Sequence, residues 1–194
     1  MTRFQILAIS GSLRAQSSNT ELLKAAALVA PESIRVTLYA GLGALPPFNP
    51  DLDGESAVAP APVADLRARV AAADGLVVSS PEYAHGVPGV LKNALDWLVS
   101  SPAIVGKRIG LFNASPRSHH AHESLAETLR TMSAEIVPGS SVSFPLLGPR
   151  REAAEIAADE VLRARLRSAL SALTEAARPV GPFVPIAERA GCEF

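Results

Sequence analysis

Cysteine is nearly absent from this chain of 194 residues. Cys192 stands alone, which excludes an internal disulfide, a CxxC redox pair and a thiolate metal cluster. An excess of either charge is absent too: 18 Lys and Arg stand against 19 Asp and Glu, for a net charge of -1. A nucleic-acid module normally needs a basic stripe to meet phosphates, so that class is excluded. No apolar run approaches the roughly 18 residues of a membrane span. The first apolar stretch, Phe4 to Ile9, is too short for a signal-peptide core and reads as a strand. The expectation is a cytoplasmic protein with no membrane partner, in which any redox chemistry rests on a bound cofactor. With 48% apolar and 19% charged residues the chain has ample material for a core, and its length suits one α/β domain.

What is present is an alternation of short apolar runs and amphipathic stretches. Phe4 to Ile9 is almost continuously apolar, as a strand covered on both faces must be. A helix follows over about Asn19 to Ala30, stopped by Pro31. Ile34 to Tyr39 alternates apolar and polar, which suits an edge strand. Residues 41–62 are rich in Gly and Pro and read as a long loop, with Asp51, Asp53 and Glu55 as solvated charges. Val63, Leu66, Val70 and Ala73 mark a second helix, and Gly75 to Ser80 a third strand. A helix from about Gly89 to Leu98 comes next, then a strand over Arg108 to Asn113 and a helix carrying Leu125, Leu129 and Met132. A short fifth strand starts at Ile136, breaks at Pro138-Gly139 and resumes near Val142. One last helix is expected from Glu152 to Ala177, after which Arg178 to Phe194 is a Pro-containing tail. Such β-α repetition predicts a three-layer α/β fold: a five-stranded parallel sheet in the flavodoxin-like order 2-1-3-4-5, with helices on both faces.

In such a sheet, ligands bind beyond the carboxyl ends of the strands where the strand order reverses. The loops after strands one, three and four meet there. The first, Ser10 to Thr20, holds hydroxyls, an amide and Arg14, and it opens onto a helix N-terminus. Exposed N–H groups and the helix dipole favour an anion at such a place, and Arg14 adds a forked charged donor. GxGxxG and GK[ST] are both missing, so the loop reads as a monophosphate cradle, against the plainer reading of a capping loop. The second loop, Ser80 to Gly89, is stiffened by Pro81 and Pro88 and could lie along a flat ring.

The run Pro81-Glu82-Tyr83-(x)4-Pro88-Gly89-Val90-Leu91-Lys92-Asn93-Ala94-Leu95-Asp96-Trp97, taken with Gly11-Ser12-Leu13-Arg14-(x)2-Ser17-(x)1-Asn19, closely resembles the NADPH-dependent FMN reductase family. That family includes bacterial quinone, chromate and azo-dye reductases of flavodoxin-like fold. The resemblance covers about Phe4 to Ala177, so residues 1–177 are expected to form the reductase domain and 178–194 the tail. It implies FMN and NADPH as cofactors. Ser12, Arg14, Ser17, Ser18, Asn19 and Thr20 match the FMN phosphate loop. Pro81, Glu82 and Tyr83 match the segment beside the isoalloxazine ring, and Ser115 matches the third flavin-contacting segment. Many members have Asn where Ala84 stands, so only backbone contacts are expected of Ala84. The implied reaction passes a hydride from NAD(P)H to FMN and then reduces a small-molecule acceptor such as a quinone, free flavin, azo dye or chromate. It needs no side-chain acid or base, so no catalytic residue is named. An FMN-binding electron carrier or redox sensor is the alternative. A Ser hydrolase is disfavoured, because no GxSxG elbow is present.

Further expectations concern the remaining polar groups. His119, His120 and His122 read as an exposed loop at a helix start rather than a metal site. Arg117 and these histidines could meet the 2′-phosphate of NADPH. Lys92 and Asp96 are spaced to pair across one helical turn, and Trp97 reads as a packing or interface anchor. Val87, Val90, Leu91, Leu95 and Leu98 exceed what one core stripe needs. Together with the family resemblance, this predicts a homodimer or homotetramer built on a spare apolar face of that helix.

Overall fold

A computed structural model describes residues 3–54, 57–115, 118–146 and 150–175. Glu55, Pro116, Arg117, Ala177 and the tail with Cys192 lie outside these residues. The strands are β1 (Phe4–Ser10), β2 (Ile34–Leu38), β3 (Gly75–Ser79), β4 (Arg108–Asn113), β5 (Glu135–Ile136) and β6 (Val142–Ser143). The helices are α1 (Ser18–Val29), α2 (Ala61–Ala72), α3 (Gly89–Asp96), α4 (His120–Thr131), α5 (Ala153–Ala158) and α6 (Glu160–Glu175). All strand pairs are parallel, in the order β2-β1-β3-β4-β5, with β6 also on β4. This is the expected flavodoxin-like order.

Period-two alternation divides the core. Leu7 and Ile9 of β1 face α2, α3 and α4, where Leu66, Val70, Leu91, Leu95 and Leu125 are buried. Ile6 and Ala8 face α1, α5 and α6, against Leu22, Leu23, Leu166 and Leu170. Each such Leu, Ile or Val, fully buried, contributes about 1.5–3 kcal/mol. Strand β2 has one wet side, as its alternation predicts: Arg35 and Thr37 are exposed and Ile34 is buried.

The fifth strand is two short pieces, β5 and β6, separated by a 3-10 turn at Pro138–Ser140, and both pair with β4. Residues 153–175 form two helices rather than the single one expected. Asp159 is the cause. Its backbone is extended, and its carboxylate accepts from Val161 N at 3.1 Å and Leu162 N at 3.0 Å, starting a new helix.

The long loop is a folded strap. Asn93 donates to Pro46 O at 2.9 Å and accepts from Phe48 N at 2.7 Å, and Trp97 Nε1 donates to the same Pro46 O at 2.9 Å. Phe48 meets Trp97 edge to face at 5.0 Å. Two expectations fail here. Asp53 is not a solvated charge. It pairs with Arg67 at 2.6 Å and accepts from Ser100 at 2.6 Å, with a side chain 9% exposed. Burial opposes its ionisation, but the Ser100 and Arg67 bonds win and hold its pKa below the usual carboxylate range. The apolar face of α3 is not spare either. Leu91, Leu95, Trp97 and Leu98 are buried beneath the strap residues Leu42 and Leu45 and the rest of the core.

Candidate functional site

A depression of about 310 Å³ opens at the carboxyl ends of β1, β3 and β4, where the strand order reverses. Of the eleven positions expected there, nine line it: Ser12, Arg14, Ser17, Ser18, Asn19, Pro81, Glu82, Tyr83 and Ser115. Gln16, Ala114, Ser118 and Leu146 complete the lining. Thr20 and Ala84 are outside it. Thr20 sits under the cradle, with its hydroxyl 2.8 Å from Ser10 Oγ.

The first wall is built by helix capping. Ser17 is the N-cap of α1, and its hydroxyl accepts from Thr20 N at 3.4 Å. Asn19 is buried and accepts from Ser79 Oγ at 2.8 Å, which fixes the helix start to β3. Ser12, Ser17, Ser18 and the opening turn of α1 therefore present hydroxyls and N–H groups to one space. Among the described residues the Arg14 guanidinium has no ion-pair partner. Glu21, in the same turn of α1, does not oppose an anion in the cradle. It is buried and turned away, accepting from Ala153 N at 2.9 Å and Lys24 Nζ at 2.9 Å. Burial alone would raise its pKa. The Lys24 and Ala153 bonds, with the Lys24 and Arg150 charges, lower it instead.

The second wall is a strained hairpin. Tyr83 and Gly86 exchange N–H···O bonds of 3.1 and 3.0 Å, and the two residues between them, Ala84 and His85, have φ of 49° and 59°. This is the left-handed pair that a two-residue hairpin turn demands. Before the hairpin, Glu82 Oε2 accepts from Ala121 N at 3.0 Å, capping the first turn of α4, where His119 offers no side-chain cap. The third wall hangs from Asn113, which accepts from Ser115 N at 3.0 Å and donates to Ser118 O at 3.2 Å. His85 and His120 stack with ring centroids 4.4 Å apart. Lys92 and Asp96 pair at 2.6 Å, as their spacing predicts.

Ser10 and Gln16 belong to the loop read as the cradle but were not among the eleven; Ala114, Ser118 and Leu146 were missed, as were the supports Ser79 and Asn113. A polar residue at the last position of each central strand was the available signal. Other depressions lie elsewhere, among them one of about 270 Å³ beside α2 and one of about 710 Å³ between α4 and the β5 side. Neither holds a helix N-terminal cradle. Residue Arg117, considered for NADPH, lies outside the described residues. No described helix is long and apolar enough to cross a membrane.

The arrangement fits a flat, monophosphorylated ligand: hydroxyls, N–H groups and the Arg14 guanidinium, which has no ion-pair partner among the described residues, at one end, and a Pro-stiffened wall along the side. Comparison with known proteins agrees. Residues 4–146 match the model of a family described as NADPH-dependent FMN reductase. A quinone reductase of Escherichia coli is 36% identical over 100 residues, 52% of this chain and 53% of that protein. An NAD(P)H-dependent FMN reductase of Pseudomonas aeruginosa is 33% identical over 130 residues, 62% of this chain and 69% of that protein. The match thus spans about half the length of the first relative and two thirds of the second. Among solved structures, the flavoenzyme NAD(P)H:(acceptor) oxidoreductase FerB of Paracoccus denitrificans superposes with a TM-score of 0.67 at 23% identity, over 88% of this chain and 97% of that chain. That likeness concerns the fold.

Proposed function

We propose the following for this chain, which belongs to the NADPH-dependent FMN reductase family: it is an FMN-dependent NAD(P)H oxidoreductase that reduces a small acceptor of the quinone type. The observation that carries this reading is the meeting of the Arg14 guanidinium, without an ion-pair partner among the described residues, a capped helix start and the Pro81–Tyr83 wall in one depression. Ser12, Ser17, Ser18 and the opening N–H groups of α1 would hold the phosphate, and Arg14 would neutralise it. Asn19 and Thr20 act from beneath, through Ser79 and Ser10. Pro81, Glu82, Tyr83, the backbone of Ala84 and Ser115 would border the ring.

FMN, when bound, supplies the chemistry by accepting a hydride from NAD(P)H and giving the electrons to the second substrate. The protein binds, orients and shields, so no side-chain acid or base is assigned to the hydride step. The relatives named for quinones, including a 2-hydroxy-1,4-benzoquinone reductase of Burkholderia 34% identical over 127 residues, support the acceptor class. A homodimer or homotetramer belongs to the same reading. With α3 covered by its own strap, exposed Tyr83, which lines the depression, and exposed Leu13 of the first loop are the better candidates for a subunit contact. We place the protein in the cytoplasm, where its nicotinamide donor is found.

The test uses the purified full chain. Denaturation should release FMN, and NAD(P)H should be consumed in proportion to added quinone. Arg14→Ala should weaken FMN by about 1.5–3 kcal/mol, the value of a charge-assisted hydrogen bond, and leave riboflavin nearly unchanged. Equal losses for both ligands would place the phosphate elsewhere. Flavin binding without NAD(P)H oxidation would make the protein a carrier.

A further inference from the structure

A second hollow, of about 310 Å³, lies between the strap and the start of α3. Buried Leu42 and Leu45 of the strap line it, with the more open Pro47 and Val90. None of its described lining residues carries a charge. Asn93 is the one polar side chain among them, and its amide is already committed. Its Oδ1 accepts from Phe48 N at 2.7 Å and its Nδ2 donates to Pro46 O at 2.9 Å. Such a lining favours an uncharged hydrocarbon, which brings no donor or acceptor that would go unpaired. The hollow adjoins the depression at both of its ends. At one end is Gly43, where a Cβ would stand 3.3 Å from Leu13 Cδ2. Leu13 is 57% exposed, and its neighbours Ser12 and Arg14 line the depression. At the other end is Gly89, reached from the Tyr83–Gly86 hairpin through Val87 and Pro88. Gly11, at the head of the cradle loop, lies so close to α3 that a Cβ there would stand 2.9 Å from Leu91 Cδ2.

We propose that this hollow is a subsite for the acceptor: it takes the hydrocarbon tail of a quinone whose ring reaches into the depression. The acceptor class is thereby narrowed from quinones at large to quinones that carry an aliphatic or isoprenoid chain. The two linings divide such a molecule. The depression offers hydroxyls, N–H groups and the Arg14 guanidinium, which suit phosphate and ring, whereas the hollow offers aliphatic surface. Leu13, exposed between them, gives the chain an apolar path from one to the other. Each methylene buried is worth about fourfold in affinity, so even one partly seated isoprenyl unit changes KM measurably. The tail takes no part in the hydride chemistry; it holds the ring in place. The role as acceptor subsite rests on the flavin reading above. Binding of a bare hydrocarbon chain does not.

Two measurements on the full chain separate them. The first is steady-state NAD(P)H oxidation with a 1,4-benzoquinone carrying no, one or two isoprenyl units. KM should fall about ten- to a hundredfold from the tailless ring to the two-unit compound. Gly89→Leu fills the hollow. A Cβ at Gly89 meets nothing within 4 Å and its φ is not positive, so the fold tolerates the side chain. This variant should narrow the KM ratio to below about threefold. Val90→Thr, which puts a hydroxyl where a methyl was, should narrow it in part. A ratio as wide in both variants as in the wild type, or a KM indifferent to the tail, overturns the subsite and leaves the flavin reading in place. The second measurement uses geraniol, an isoprenoid alcohol without a ring. Its reporter is the sole tryptophan, Trp97, whose Nε1 donates to Pro46 O beside the hollow. Geraniol should shift the Trp97 emission saturably in the wild type and not in Gly89→Leu; no saturable shift in the wild type overturns the hydrocarbon site. A Gly89→Leu protein that changes its sedimentation coefficient but not its KM ratio assigns the hollow to a second copy and likewise overturns the proposal. Geraniol binding with no NAD(P)H oxidation by any of the quinones refutes the flavin reading and leaves the hydrocarbon site standing.

Discussion

Ala84 occupies a backbone conformation that its side chain resists, and replacing it should stabilise the protein. Its φ of 49° lies in the left-handed region, where Cβ crowds the following carbonyl at a cost of about 1–2 kcal/mol. Glycine carries no such cost, but it gains entropy in the unfolded chain worth about 0.4–1 kcal/mol. The balance predicts that Ala84→Gly stabilises by about 0.5–1 kcal/mol. Asparagine tolerates the left-handed region without the extra unfolded entropy, so Ala84→Asn should do at least as well. Ala84→Val should do the reverse, since a β-branched residue is a genuine outlier at positive φ. Urea denaturation of the four proteins measures the differences directly. For a domain of this size, about 1 kcal/mol also moves Tm by about 2–4 °C. Nothing within the hairpin contacts changes, because the reciprocal Tyr83–Gly86 bonds use backbone atoms only. If Ala84→Gly and Ala84→Asn both destabilise, the turn is not strained as described.

The other predictions concern the supports of the site. Glu82→Ala strips the cap from α4 and leaves the N–H of buried Ala121 without its partner, so it should cost about 1–3 kcal/mol in the same urea assay. Acid should destabilise the fold through two groups of like sign. Burial lowers the pKa of His122 from its ordinary 6.5, more than the Glu123 charge raises it. Glu21, despite burial, is lowered from its ordinary 4.5 by its Lys24 and Ala153 bonds and by nearby charge. In both cases the unfolded chain binds the proton more readily, so stability falls as pH drops, first below about 6.5 through His122 and then below about 4.5 through Glu21. Thermal melts of His122→Gln against wild type should show the first step removed; an identical pH dependence would refute the assignment.

How much of this was legible in the sequence depends on the range of the interaction that decides each feature. The strand order was favoured by local pattern, because a strand with one wet side, Ile34 to Leu38, fits an edge position and β-α repetition gives parallel neighbours, and the observed order agrees. The break at Asp159 was hidden. The stripe Leu162, Leu166, Leu170, Leu173 is continuous with a helix begun earlier, and only the carboxylate turning back on Val161 and Leu162 reveals a second start. Asp53 was hidden because its partner, Arg67, lies beyond a strap whose path no local signal gives.

The site divides along the same line. The residues proposed for the cradle lie together in the loop after β1, so residue types and the family resemblance could single out that loop, whereas the residues that hold it act across strands. Ser79 reaches Asn19 over 60 positions and Glu82 reaches Ala121 over 39. The motif residues beyond the cradle proved equally structural: Asn93 and Trp97 pin the strap through Pro46, on the helix that follows the hairpin wall. A recognisable motif in this chain therefore mixes residues that can meet a ligand with residues that fix the loops meeting it, and only the three-dimensional bonds tell the two apart. Glu82 shows the consequence. The resemblance implies a place beside the ring, and it lines the depression, yet its carboxylate accepts from Ala121 N and holds α4. Its substitution should therefore register in stability before it registers in flavin chemistry.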